Sequence, residues 1–167
     1  MNDQLTESDI RKIQEEIDYR KQVVRKEAIE AVKEARAQGD LSENFEYYAA
    51  KKDKNRNESR IRYLEKMIKT AKIISDDSAE DEIGLNNTVT IYFEDDDETE
   101  TYKIVTTVRG NSLDGRISNE SPLGKALMKH KVGDRVYIDT GNGSGYYVVV
   151  KSIEKTGETE SDTLRSF

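Results

Sequence analysis

The sequence predicts an α+β protein: a long antiparallel helical hairpin followed by a small antiparallel β-sheet domain with one short helix. Apolar residues recur every three, four or seven positions over roughly the first 75 residues, which is typical of helices packed along one seam. From Thr88 the period changes to two, as in strands. Charged residues make up 37% of the 167 residues and hydrophobic ones only 34%, so a thin, extended core is favoured over a large one.

The first predicted helix begins at Thr6–Asp9, where hydroxyl and carboxylate groups can bond the unpaired first-turn N–H groups. It continues without a break to Gly39, about 33 residues or roughly 50 Å. Its apolar seam consists of Ile10, Ile13, Ile17, Val24, Ala28, Val32 and Ala35.

Gly39 is suited to a tight turn because it tolerates left-handed backbone angles. A second helical run, from about Leu41 to Ile74, then forms an antiparallel hairpin in which facing residues have numbers that sum to about 80. Tyr48 is expected near Val32, and Met67 near Ile13. Residues 51–60 contain no apolar side chain, so weak packing is expected in the middle.

The predicted domains are a coiled-coil hairpin at 1–75, an acidic linker at 76–87, a sheet domain at 88–154 and a disordered tail at 155–167. Within the sheet domain, two strand pairs flank polar turns. Ser121-Pro122 suits the start of the short helix.

Composition excludes several classes of function. The chain has no cysteine, which rules out disulfides, thiol catalysis and cysteine-bound zinc. No apolar stretch approaches the ~20 residues of a membrane span, and the N-terminus lacks a signal peptide, so we expect a cytoplasmic protein. Its net charge of −7 argues against a free-standing DNA-binding protein.

Two carboxylates at the predicted turn, Asp40 and Glu43, allow two interpretations. They form a capping box at the start of the second helix, or they hold a divalent cation or orient a water in the active site of another molecule. Two carboxylates are too few to bind a metal tightly, so the second role requires oxygen ligands from a partner.

Several motifs resemble the bacterial transcript-cleavage factors of the GreA/GreB family. The turn, residues 39–50, reads GDLSENFEYYAA, and the segment before it, 31–36, reads AVKEAR. Further along, 117–127 (ISNESPLGKAL) and 132–134 (VGD) resemble the C-terminal domain of that family. The likeness covers about residues 5–154, in the same order, and is closer to GreA.

The resemblance implies a function. The hairpin of these factors enters the secondary channel of RNA polymerase, where the tip helps to bind a second Mg²⁺ and positions a water. The polymerase itself then cleaves the 3′ end of backtracked nascent RNA. By resemblance, Asp40 and Glu43 take the tip roles, with no cofactor beyond the shared Mg²⁺ and no enzymatic activity of the protein's own. We expect a monomer that binds polymerase and nascent RNA, with no membrane partner.

The resemblance also implies an FK506-binding-protein-like C-terminal domain that docks at the channel rim through Ser121, Pro122 and Leu123. The alternative is that Ser121-Pro122 only starts a helix. A run of basic residues on the second helix is either a solvated face or an RNA-facing patch. Its members are Lys51, Lys52, Arg56 and Arg60.

Two rival functions stay open from the sequence. One is an inhibitor that occupies the same channel without promoting cleavage, against which the intact tip motif argues. The other is a coiled-coil adaptor or chaperone unrelated to polymerase, in which Asp40 and Glu43 only cap a helix.

Overall fold

The structure, a computed structural model, describes residues 3–38 and 44–166 and divides into an N-terminal helical unit and a C-terminal sheet unit. The helical unit confirms the predicted hairpin. One helical run comprises α1 (Glu7–Tyr19), a π-helical turn (Arg20–Val24) and α2 (Arg25–Arg36), and it packs along α3 (Phe45–Thr70). None of the helices in the described ranges could cross a membrane.

The apolar contacts of the hairpin are concentrated at one end. Five side chains there are almost fully buried: Ile13, Ile17, Ile61, Leu64 and Met67. At the other end Ala35 is buried, but 85% of Phe45 and 52% of Tyr48 is exposed. Tyr48, predicted to lie near Val32, is thus only half-buried, and the rings of Phe45 and Tyr48 are both largely on the surface.

Toward the middle of the hairpin, buried and half-buried polar groups link the two helices. Glu16 accepts hydrogen bonds from Arg20 Nε at 2.6 Å and Arg60 Nε at 2.9 Å. Asn57 accepts one from Arg20 Nη1 at 3.0 Å. Arg60 and Asn57 are only 6% and 4% exposed. The weak packing expected here is replaced by a network, which we call the polar layer: Glu16, Arg20, Asn57 and Arg60.

The π-helical turn begins at this layer. The carbonyl of Arg20 accepts the N–H of Arg25, five residues on, and also the side-chain amide of Asn57 at 3.3 Å. Such single π turns arise where a helix must adjust its register locally. One turn further along, Arg25 forms a bidentate ion pair with Glu58, with N–O distances of 2.8 and 2.9 Å, which lowers the pKa of Glu58.

The C-terminal unit contains a five-stranded sheet and one short helix, as predicted. The bounds of the strands and of the helix are β1 Gln4–Leu5, β2 Lys72–Ile73, β3 Thr88–Phe93, β4 Glu98–Val105, β5 Arg116–Ser118, α4 Pro122–Leu127, β6 Arg135–Gly141 and β7 Ser144–Glu154. The five strands of the sheet lie in the order β5-β4-β3-β7-β6, and all neighbours are antiparallel except β4 and β5. A separate two-stranded sheet pairs β1 with β2.

The core of this unit forms between one face of the sheet and α4. Alternate residues of the strands point into it, which matches their period of two. The buried members are Ile83, Val89, Ile91, Ile104, Leu127, Val136, Ile138, Val148 and Val150.

The acidic stretch 76–87 is part of the C-terminal unit and is not a linker. Ile83 is fully buried in the core, and its N–H donates to the carbonyl of His130 at 2.9 Å. The side chain of Asn87, 3% exposed, accepts the N–H of Gly84. The apolar residues at 83 and 85 are isolated among carboxylates in the sequence, which obscured their role.

The segment predicted to be disordered also makes specific contacts. Residues 155–166 form no helix or strand, yet Asp162 is only 3% exposed and the N–H of Arg165 donates to the carbonyl of Val108 at 2.8 Å. Sequence analysis did not foresee this packing.

We expect Glu16→Gln to destabilise the protein, because it keeps the shape of the side chain but removes the carboxylate that two guanidinium groups share. Losing hydrogen bonds to a charged group costs about 1.5–3 kcal/mol. Glu15→Gln is the matched control, since Glu15 is 58% exposed. The free energy of unfolding is measured by denaturant titration monitored by circular dichroism. Equal stability of the two variants at neutral pH would contradict the proposed contribution of the polar layer to stability.

The same variant has a predicted pH dependence. Burial raises the pKa of Glu16, but the hydrogen bonds and charges of Arg60 and Arg20 outweigh burial and hold the pKa below its ordinary value. The stabilisation is therefore present above the unfolded-state pKa, about 4.3, and is lost as the pH falls through the lowered folded-state pKa. The stability difference between the wild type and Glu16→Gln should shrink below about pH 4.

Candidate functional site

The start of α3 is capped by Asn44. Its side-chain oxygen accepts the N–H of Tyr47 at 2.9 Å, and its amide nitrogen donates to the carbonyl of Ala35 at 2.6 Å. The first bond satisfies an N–H group that the helix itself cannot pair. The second links the start of α3 to the last turn of α2. Asn44 thus performs the capping role that the sequence alone offered to Asp40.

Asp40 and Glu43, the predicted tip carboxylates, lie outside the described residues. What the described residues establish is that α3 begins at Phe45 with Asn44 as its N-cap. A capping box with Asp40 at the N-cap position is therefore not the cap of this helix. Sequence analysis missed Asn44, although asparagine is among the most favoured N-cap residues and directly precedes the helix.

Two cations, Arg36 and Lys51, lie near Tyr47 in the first turn of α3. The guanidinium of Arg36 lies 5.7 Å from the ring centre of Tyr47. A hydrogen bond from Arg36 and the charge of Lys51 lower the pKa of the Tyr47 phenol. Together with exposed Phe45 and Tyr48, this end of the hairpin presents aromatic rings beside cations, an arrangement typical of surfaces that contact a partner.

The four residues of the predicted basic patch do not share one environment. Lys51, Lys52 and Arg56 are exposed on α3. Arg60 is buried, and its Nε lies 2.9 Å from a carboxylate oxygen of Glu16. The assignment of Arg60 to an RNA-facing surface is therefore wrong, because its guanidinium belongs to the polar layer. Charge counting along the sequence cannot separate a solvated cation from one that is paired inside the hairpin.

The three predicted docking residues lie together at the start of α4. Ser121 is the N-cap: its hydroxyl accepts the N–H of Gly124 at 3.1 Å and donates to the carbonyl of Ser118 at 2.6 Å. Pro122 occupies the first turn and is exposed, whereas Leu123 packs partly against the core. The interpretation that this segment starts a helix is confirmed. The docking role stays a prediction, with Pro122 exposed at the surface.

Gly124 allows α4 to lie close to the strand before it. A Cβ at this position would come within 2.0 Å of the backbone oxygen of Ser118. Any side chain would push α4 away from β5. The short segment from Ser118 to Gly124 is thus held by backbone proximity as well as by the hydroxyl of Ser121, which gives Pro122 a defined position.

A groove of about 990 Å³ opens beside α4. Its lining includes Ser121, Pro122 and Leu123 and also Thr163, Leu164 and Arg165 from the C-terminal segment. Leu113, which is 95% exposed, also lines it. Concave surfaces with apolar side chains and a few polar groups are the usual binding sites of proteins, and this one includes every predicted docking residue.

In residues 3–38 and 44–166, no group of three or more carboxylate or histidine side chains is arranged to hold a metal ion. Any metal contact of this protein that involves these residues would need ligands from another molecule.

Comparison with known proteins identifies the class of protein. Residues 3–73 match the family model described as "Transcription elongation factor, N-terminal", and residues 76–155 match "Transcription elongation factor, GreA/GreB, C-term". The two matches cover the helical unit and most of the sheet unit.

The similar curated proteins are GreA factors. The chain is 44% identical to "Transcription elongation factor GreA" of Bacillus licheniformis over 148 residues, which are 88% of this chain and 94% of that protein. It is 42% identical to the protein of the same name from Bacillus subtilis over 140 residues, 84% of this chain and 89% of that one. The chain therefore belongs to the GreA/GreB family of transcription elongation factors.

Among solved structures, the chain is similar to the crystal structure of GreA factor homolog 1 (Gfh1) from Thermus thermophilus. It is 29% identical to this chain, covers 92% of it and 99% of its own length, and has a TM-score of 0.43.

Proposed function

We propose that this protein inserts the turn of its hairpin into the secondary channel of RNA polymerase and stimulates cleavage of backtracked nascent RNA. Membership of the GreA/GreB family supports the choice of RNA polymerase as partner. The observation that supports a role of the tip carboxylates in cleavage is the cap of α3. Because Asn44 caps this helix, the adjacent carboxylates Asp40 and Glu43 are not required for that role and are available for chemistry.

The donor types at the tip fit Mg²⁺, which prefers carboxylate oxygens and usually takes only one or two of them from a given protein. Asp40 and Glu43 would hold the ion jointly with ligands of the polymerase. When bound, a second metal ion stabilises the attacking and leaving oxygens of a phosphodiester. The contribution of this chain is to carry two negative charges to the site and to orient a water. The protein is then a stimulating factor, and the polymerase is the enzyme.

The rival functions are less well supported. The family match disfavours an adaptor or chaperone that has no relation to transcription. An inhibitor that occupies the channel without promoting cleavage has no need for two carboxylates beside a separately capped helix. A monomeric, cytoplasmic factor is the simplest form in which the hairpin could enter a channel.

The first test of the proposal uses a halted, backtracked polymerase complex with Mg²⁺. Asp40→Asn and Glu43→Gln should each abolish stimulated RNA cleavage while binding to polymerase persists, because both substitutions remove charge and keep shape. Glu46→Gln is the matched control, since Glu46 is an exposed carboxylate in the first turn of α3. Cleavage at the wild-type rate by both tip variants would discard the mechanism; cleavage lost equally in the control would show that general charge, not the tip pair, matters.

The second test concerns docking. We propose that Ser121, Pro122 and Leu123 contact the channel rim, and we expect Pro122→Ala to weaken polymerase binding by about 1 kcal/mol or more, the cost typical of a contributing interface residue. Lys125→Ala, an exposed change on the same helix, controls for effects on α4. Binding is measured by competition with labelled wild-type protein; equal affinities of the wild type and Pro122→Ala would remove the assignment.

The third test concerns the exposed members of the basic patch. We propose that Lys51, Lys52 and Arg56 face the phosphates of extruded RNA, since exposed cations on one helix can neutralise phosphates. Lys51→Glu with Arg56→Glu should reduce cleavage most on complexes with long extruded RNA. The control is Lys66→Glu with Lys69→Glu, which makes the same charge change at exposed positions of α3. A loss of activity that does not depend on RNA length favours a merely solvated face.

A further inference from the structure

The C-terminal segment 157–166 is anchored by a buried carboxylate. Asp162 is 3% exposed, and its Oδ2 lies 2.5 Å from Lys103 Nζ and 3.0 Å from the N–H of Thr159. Its backbone carbonyl accepts Arg109 Nη1 at 2.9 Å. The family match ends at residue 155, so this segment is not explained by the family likeness.

Two buried arginines, Arg109 and Arg116, also hold the segment. Together with Lys103 and Asp162 they form a cluster that we call the tail anchor. Arg109 is 4% exposed and forms an ion pair with Glu158. Arg116, 7% exposed, donates to the carbonyl of Ser161 at 3.1 Å. Buried cations require anionic partners. Glu158 pairs with Arg109 and Asp162 pairs with Lys103, whereas Arg116 pairs most closely with Asp114, outside the segment. The segment is therefore held by strong local interactions although it has no regular structure.

The anchor places the next residues on the groove beside α4. Arg165 donates its N–H to the carbonyl of Val108 at 2.8 Å, and Thr163, Leu164 and Arg165 line the same groove as Pro122. Leu164 is half-buried and Arg165 is exposed. The C-terminal segment thus contributes to the lining of the groove that contains the proposed docking residues.

The charge of the groove differs from that of the chain. The protein has 34 acidic residues and a net charge of −7, yet the described residues that line the groove include the exposed cation Arg165 and no Asp or Glu. Arg116 also lines the groove, but it is buried and its charge is paired with Asp114 and Asp162. Exposed Leu113 and Pro122 lie along the same groove. Charge complementarity across an interface favours a partner of the opposite sign. An acidic segment with apolar side chains fits this surface.

We propose that residues 163–165 form the second wall of the polymerase-docking groove, that the tail anchor holds them there, and that the groove takes an acidic, apolar segment of the polymerase. The inference rests on the proposed docking function and names the chemistry of the contact. Arg165 is the residue that selects for negative charge, and Asp162 is a positioning residue that acts through the segment.

The experiment uses the full chain with Asp162→Asn and Arg165→Glu. Asp162→Asn keeps shape and removes the carboxylate, so hydrogen exchange should become faster at the amides of Thr159, Asp162 and Arg165, and polymerase binding should weaken. Glu160→Gln is the matched control, because Glu160 is an exposed carboxylate of the same segment. Arg165→Glu should leave exchange unchanged, weaken binding roughly threefold to tenfold, and lose that effect at high salt. Lys151→Glu, an exposed charge reversal on β7 outside the groove, is its control.

The outcomes separate this inference from the proposed function. Unchanged exchange in Asp162→Asn overturns the anchor, and this readout needs no polymerase. Faster exchange with wild-type binding by both variants, while Pro122→Ala binds weakly, overturns the second wall and leaves the docking proposal intact. Wild-type binding by Pro122→Ala as well overturns docking through this groove. A variant truncated after Thr156 should behave like Asp162→Asn in binding; full affinity of the truncated chain also overturns the second wall.

Discussion

One carboxylate shared between two guanidinium groups closes the middle of the hairpin. Glu16 bonds Arg20 on its own helix and Arg60 on α3, where ten successive residues of α3 offer no apolar side chain. A buried charge without its partner costs free energy of folding. A shift of one helix along the other would therefore destabilise the hairpin, because Arg60 would lose its carboxylate partner. Polar side chains at such positions set register in helical pairs. The polar layer therefore fixes the register of α3 against the first helical run.

In the C-terminal unit, too, a carboxylate pairs with several cations and holds a segment in place. Asp162 lies among Lys103, Arg109 and Arg116, and it holds a segment that has no helix or strand. In each unit a carboxylate, half-buried at Glu16 and buried at Asp162, holds together elements that present a surface with a proposed function. This explains how a chain with only 34% hydrophobic residues builds defined surfaces. It also makes both surfaces sensitive to the loss of a single negative charge.

Helix α3 carries both a buried, paired cation and exposed ones. Arg60 and Asn57, three residues apart, lie on the face that meets α1 and the π turn, whereas Lys51, Lys52 and Arg56 lie in solvent. The sequence shows a single basic run. Only the pairing of Arg60 with a carboxylate 44 residues away divides it, because burial of a charge depends on a partner that is distant in the chain. The same argument applies to the start of α3, where Asn44 reaches back to Ala35.

The sequence by itself determined the two helical runs, the change of period at Thr88, the short helix after Ser121 and the family motifs, since these depend on local periodicity and on neighbouring residues. Tertiary structure decided which charges are buried, which residue caps α3, that Ile83 of the acidic stretch enters the core, and that the C-terminal segment packs beside α4. Each of these depends on contacts between residues far apart in the chain. A local sequence pattern does not contain the free energy of such contacts. An aspartate or glutamate looks the same in the sequence whether its side chain is solvated or paired with an arginine.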